Sequence, residues 1–176
     1  MERIESAFSM DVPARDASPW LLRPHRAGDI SFVTQRMIAS AQEEFDLAGA
    51  FETVTLGQSA QFLGRFSATD ECSWIAERDG AVVGSVVVRR VDDRTAELSL
   101  LHVESRARGI GIGRRLIAEA VEFAARAGYQ TMQLELLDVM KTARRLLHAA
   151  GFRHVSEVAD ARFGKPVQRQ TWSLGL

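Results

Sequence analysis

The chain's 176 residues are 46% hydrophobic and 26% charged, with a formal net charge of -1. That is enough apolar material for one globular domain with a sizeable core, with or without a short arm, and the neutral balance argues against a general nucleic-acid binder. The single cysteine, Cys72, excludes an intrachain disulfide and offers no zinc pattern. The first twenty residues lack an apolar signal core and no apolar run reaches membrane-span length, so a soluble cytoplasmic protein is expected.

Residues 1–19 carry Asp11, Pro13, Asp16, Ser18 and Pro19 without a sustained period. They read as a poorly ordered arm, from which Phe8 and Met10 could dock, ahead of one domain over 20–176. Trp20–Arg23 reads as a short strand. Asp29 is placed to cap a helix that turns Ile30, Val33, Met37 and Ala41 to one face, and a second helix holds Phe62, Leu63 and Phe66. From Ser73 the period shortens. Trp74–Glu77 and Ala81–Val91 flank Asp79-Gly80, a hairpin signal because that turn demands positive φ. Asp92-Asp93 marks another turn, and Thr95–Val103 is the next strand.

Leu116, Ala120, Ala124 and Ala127 then recur at helical spacing until Gly128. Thr131–Leu137 is a strand, and Asp138 is a plausible cap for a helix that Gly151 closes. Arg153–Val158 and Val167–Leu174 are strands around a turn with Gly164 and Pro166. The stretch from Leu98 to Leu137 is thus a βαβ crossover, which makes its two strands parallel.

The segment "RARGIGIGRRL", Arg106 to Leu116, joins that strand to that helix. A loop entering a helix aims several backbone N–H groups at one spot, and the helix dipole adds positive charge there. Side chains at Gly109, Gly111 and Gly113 would keep a phosphate from those amides, while Arg106, Arg108, Arg114 and Arg115 surround the loop. A phosphorylated ligand is expected. A dinucleotide fingerprint fails, since its third glycine position is Leu116, and no G-K-[ST] is present for a P-loop. What remains is R-x-x-G-x-G, Arg108 through Gly111 to Gly113.

That pattern, with "LLHVESRARGIGIGRRLI" before the helix and "ARRLLHAAGF" closing the next one, resembles the GCN5-related N-acetyltransferase family over about Trp20 to Leu176. "WIAERDGAVVGSV" and "FGKPVQRQTW" further resemble acetyltransferase domains found fused to MarR-type regulators. No winged-helix region precedes the domain here, so DNA binding is not expected. The resemblance implies an α/β fold with a mixed, mostly antiparallel sheet, a splayed parallel pair and flanking helices, with acetyl-CoA in the gap. It implies that the main chain of Leu101, His102 and Val103 holds the pantetheine arm. By the same resemblance Arg108, Gly109, Ile110, Gly111, Ile112 and Gly113 receive the pyrophosphate, with Arg114 close by, and Arg144 approaches the cofactor from the following helix.

The implied reaction is direct transfer of an acetyl group to a primary amine of a small molecule or protein, with no metal. Two residues are candidates for catalysis. Glu97 matches the base position of the histone-acetyltransferase branch, although a cross-strand charge explains it equally. His102 titrates in the useful range beside the expected thioester, or else packs where the family often has an aromatic. Glu43 and Glu44 could bind a cationic substrate or be solvated. The family's tyrosine acid falls on Leu147, its asparagine on the neighbourhood of Leu137 and Met140, and the lone tyrosine, Tyr129, is at the wrong end of the long helix. An acyl-CoA-binding sensor without catalysis is therefore the competing reading. The final strands could pair across a homodimer.

Overall fold

The structure, a computed structural model, describes residues 19–47 and 49–176. All of the expected arm but Pro19, including Phe8 and Met10, lies outside the described residues. The elements are β1 (Leu21–Arg23), α1 (Asp29–Phe45), α2 (Ala50–Arg65), β2 (Cys72–Arg78), β3 (Ala81–Arg90) and β4 (Thr95–Val103), then α3 (Ile112–Arg126), β5 (Thr131–Leu137), α4 (Lys141–Ala149), β6 (Arg153–Asp160) and β7 (Val167–Gly175). They form one seven-stranded sheet in the order β1-β2-β3-β4-β5-β7-β6. Every neighbouring pair is antiparallel except β4 and β5, as the crossover reading requires.

The sheet is covered on both faces at its centre, so the middle of β3 reads as an unbroken buried run instead of an alternating one. Val86, Val88 and Leu98 pack with Leu116, Ile117, Ala120 and Ala124, which form the apolar stripe of α3. Val87 and Leu100 point the other way and pack with Ile30 of α1 and Phe62 of α2. Leu116, Ile117 and Phe62 are at most 1% exposed, and burying each such side chain contributes about 1.5–3 kcal/mol. The Asp79-Gly80 turn has the two positive φ angles its sequence demanded, 52° and 76°.

Two expected caps turn out to be something else. Gly28, at φ 92°, occupies the cap position of α1, and Asp29 is the first helical residue. Its carboxylate accepts from the Arg26 backbone N–H at 2.6 Å and from the Arg23 guanidinium at 2.5 Å, tying the helix start to β1. Asp138 stands before the start of α4, whose cap position is Met140. Its Oδ1 accepts from the Gln168 N–H at 2.9 Å and so fastens the end of β5 to β7.

β4 and β5 pair only at Thr95↔Thr131, Ala96↔Met132 and Glu97↔Gln133. Beyond Glu97 the strands part. The cause lies on the opposite edge of β4, where a bulge sets Leu100 and Leu101 against the single residue Val86, between the pairs Ser85↔His102 and Val87↔Ser99. Leu100 takes φ 46°, a left-handed conformation that strains a side-chain-bearing residue. The Ser85 hydroxyl holds it by donating to the Leu100 carbonyl at 2.7 Å. β5 continues regardless, paired with β7 along its whole length. A gap therefore opens between the last turns of β4 and β5, beside the start of α3.

Candidate functional site

That gap is the floor of a cavity of about 560 Å³. The end of β4 supplies Leu101, His102 and Val103, the glycine loop supplies Arg108, Gly109, Gly111, Ile112, Gly113 and Arg114, and the remaining walls come from α1, from Phe51 of α2, and from α4 with the two residues before it. Ile110 does not line it and is exposed instead. Arg144 does not line it either. It faces a shallow depression with Arg145, His148 and Trp172.

The loop has the character of an anion site. Main-chain bonding of α3 begins with the Arg115 N–H, which donates to the Gly111 carbonyl at 3.1 Å. Among the described residues, the six N–H groups of residues 109–114 have no main-chain or side-chain acceptor. Four orphan donors are normal for a helix start, and the loop adds more beside them, where the helix dipole also favours negative charge. Gly109 and Gly111 have φ 81° and 92°, and a Cβ at either would meet no protein atom within 4 Å. Both face open space in which a ligand can approach the amides. Gly113 is there for another reason than the sequence suggested. A Cβ on it would come within 3.0 Å of Leu146 and 3.7 Å of Val103, so it lets α3 pass close to α4 and β4. Gly84 does the same for β3, since its Cβ would lie 3.0 Å from the His102 carbonyl and 3.3 Å from Ile112.

Arg108 is the best anchored cation of the loop. Its Nε donates to the Val103 carbonyl at 3.0 Å, and its two terminal nitrogens donate to Glu44 Oε2 and Oε1 at 2.8 and 2.6 Å. Those bonds hold the Glu44 carboxyl below the usual carboxylate range. Glu44 lines the cavity and Glu43 does not.

His102 is 8% exposed and lines the cavity. Its Nε2 lies 3.5 Å from Glu104 Oε1 and, among the described residues, is a buried nitrogen without a hydrogen-bond partner. Burial pushes its pKa below the ordinary 6.5, against the smaller upward pull of Glu104. Glu104 in turn accepts from Arg36 Nε and Nη2 at 2.7 and 3.0 Å, which lowers its own pKa. A neutral imidazole at the cavity wall, backed by a paired carboxylate, can take a proton.

Glu97 is placed differently. It sits where β4 still pairs with β5, it does not line the cavity, and its Oε2 accepts from Arg89 Nη2 at 2.6 Å. Leu147 is fully buried in the core, and the α4 side of the cavity is lined by Val139, Met140, Lys141, Thr142, Ala143 and Leu146. The Tyr129 hydroxyl donates to the Asp70 carbonyl at 2.8 Å, away from the cavity. The α1 wall of Met37, Ser40 and Ala41 and the Arg36–Glu104 pair were not singled out from sequence. Their only signal was the i, i+4 spacing of Met37 and Ala41 on the inner face of α1.

Among the described residues, no three His, Cys, Asp or Glu side chains gather as a metal site, and no helix is long and apolar enough to cross a membrane.

Known proteins agree with this architecture. N-acetylaspartate synthetase of Danio rerio is 39% identical over 93 residues, which cover 52% of this chain and 33% of that protein. The matched region spans about a third of the length of the N-acetylaspartate synthetases it resembles. A GCN5-related N-acetyltransferase from Kribbella flavida superposes with a TM-score of 0.72 at 21% identity, covering 90% of this chain and 98% of that one. A phosphinothricin acetyltransferase from Sinorhizobium meliloti, solved in complex with acetyl-CoA, gives 0.69 at 20% identity over 90% and 89%. A model of the Acetyltransferase (GNAT) family matches residues 35–152, most of the described domain. The chain belongs to the acetyltransferase (GNAT) family.

Proposed function

We propose that the protein transfers the acetyl group of acetyl-CoA to a primary amine. The observation that carries this reading is the row of six unpartnered N–H groups at the start of α3, opening onto a cavity between two parted strands. The loop amides and Arg114 bind the diphosphate, and the freed edge of β4 at Leu101–Val103 aligns the pantetheine arm. Acetyl-CoA supplies an activated acyl carbon. The chain's own work is to orient the amine and take up its proton as the C–N bond forms and the C–S bond breaks.

His102 rather than Glu97 is the base. It faces the cavity, is neutral at pH 7 because burial lowers its pKa, and has Glu104 3.5 Å away to balance the imidazolium it becomes. Glu97 is committed to Arg89. No tyrosine lines the cavity, so the thiolate's proton comes from another group.

Acetyl-CoA should raise the melting temperature, and CoA should be released when an amine is added. Aspartate, the amine in the name of the N-acetylaspartate synthetases, belongs in that panel. Thermal stabilisation without acetylation of any amine would favour an acyl-CoA sensor, and no stabilisation would defeat both readings.

A further inference from the structure

We infer that Glu44 is the carboxylate that receives the acceptor's ammonium group, that Arg108 covers it in the free protein, and that cofactor phosphate uncovers it. This rests on the acetyl-transfer reading. Glu44 is the only carboxylate lining the cavity among the described residues. Around it the α1 and α2 wall is Met37, Ser40, Ala41, Phe45 and Phe51, apolar but for the one serine. An amine reaches an active site near neutral pH as an ammonium ion, and in such a pocket one carboxylate is its natural counter-charge.

In the free protein that carboxylate is taken. Arg108 lines the cavity beside it, with Nε on the Val103 carbonyl at 3.0 Å and both terminal nitrogens on Glu44. The two residues are 64 positions apart and bridge α1 to the glycine loop. Arg108 stands at the head of the loop whose amides await an anion. A diphosphate brings more negative charge than Glu44 and binds in forked geometry, so it competes for the same guanidinium. When Arg108 turns to phosphate, two acceptors are released together: the Val103 carbonyl at the parted strand and the Glu44 carboxylate facing the apolar wall. His102 lines the same cavity as Glu44. An ammonium held by Glu44 is thus presented to the proposed base.

The pocket so formed selects a substrate class. It suits a primary amine on an apolar body, and it disfavours an amine flanked by carboxylates, which would face Glu44 after its masking cation has left. 2-Phenylethylamine is the probe for the first class and aspartate for the second.

Calorimetry and steady-state kinetics on the wild type, Glu44→Gln and Arg108→Gln test the inference. The wild type should bind phenylethylamine only when CoA is present, and should acetylate it in preference to aspartate. Glu44→Gln should raise the KM for phenylethylamine about tenfold or more, the value of one charged hydrogen bond, with a smaller change in kcat. The same variant should bind acetyl-CoA more tightly, because no ion pair has to be broken. Arg108→Gln should bind phenylethylamine without CoA. An unchanged KM in Glu44→Gln, weaker acetyl-CoA binding in it, or a wild-type preference for aspartate would overturn the assignment. A wild type that binds acetyl-CoA but acetylates nothing defeats the transfer reading, and the acetyl-CoA affinity of Glu44→Gln still decides whether Arg108 is held by Glu44.

Discussion

Arg89 and Glu97 stand directly opposite each other in the β3–β4 register, with Arg89 Nη2 donating to Glu97 Oε2 at 2.6 Å. Arg89 is 5% exposed, its Nη1 donates to Gln61 Oε1 at 2.6 Å, and its Nε has no partner among the described residues. A buried guanidinium so poorly supplied depends on its one carboxylate.

Glu97→Gln should therefore be a stability variant. Losing a charged hydrogen bond to a buried partner costs about 2 kcal/mol, reduced because Glu97 is partly exposed. Denaturant titration should show the loss, while kcat/KM for acetyl transfer stays close to wild type. A fall in kcat of about a hundredfold in a protein of normal stability would instead restore Glu97 as the base.

Gly111 offers the converse case, a change that harms binding more than folding. An alanine Cβ there meets no protein atom, so the fold bears only the left-handed strain of φ 92°, about 1–2 kcal/mol. The same methyl would occupy the open space through which, on the proposed reading, a phosphate reaches the loop amides. At one hundred times its dissociation constant a ligand stabilises the folded state by about 2.7 kcal/mol. Wild type should show that stabilisation with acetyl-CoA as a raised melting temperature, and Gly111→Ala should show little of it. An equal shift in both proteins would place the diphosphate elsewhere.

Leu147 is where the family resemblance puts a tyrosine acid, and here it is fully buried among core side chains. Leu147→Tyr should fold with a loss of about 1–3 kcal/mol from overpacking. It should not speed CoA release, because α4 lines the cavity with Lys141, Thr142, Ala143 and Leu146 and not with residue 147. Acceleration by tyrosine and not by phenylalanine at 147 would show that the phenol reaches the leaving sulfur.

How much of this was legible in the sequence depended on whether the signal was local. Thr95–Val103 and Thr131–Leu137 were bounded correctly because turn residues and a helix of known period enclose them. The unpaired amides of the glycine loop were foreshadowed by its position between strand and helix. The caps were not, because Asp29 and Asp138 have the right side chain in the right place and are drawn off by partners outside the helix, Arg23 and Gln168. The strained Leu100 carries no residue-type signal at all, since its conformation follows from a β3–β4 mismatch set by pairing distant in sequence. For the same reason the pairing of Glu44 with Arg108, and of Glu97 with Arg89, could not be read. A cross-strand charge was one of the two readings of Glu97, but its partner Arg89, like Arg108 for Glu44, came only with the fold.

His102 gives the prediction on which the proposed chemistry turns. Burial lowers its pKa from 6.5, and the groups around it pull both ways: Glu104 raises it, while Arg108 and Arg36 lower it. For a histidine whose folded pKa is depressed, the unfolded chain binds the proton first as pH falls. Stability is thus whole above about 6.5 and is lost as pH drops from there through the folded pKa. The depressed carboxyls of Glu44 and Glu104 add a further loss, which begins only in the carboxylate range below. Activity should follow the same proton. A base must be neutral to work, so log kcat/KM should fall more steeply below the pKa of His102 than above it. The acceptor's own ionisation imposes a limb shared by every variant. His102→Gln should remove the extra fall, lower kcat by about a hundredfold or more, and leave acetyl-CoA binding near normal. It should also flatten the stability profile between pH 6.5 and the folded pKa. If the variant keeps both the steep acid limb and wild-type kcat, the imidazole only packs against β3, and the proton leaves the amine by another route.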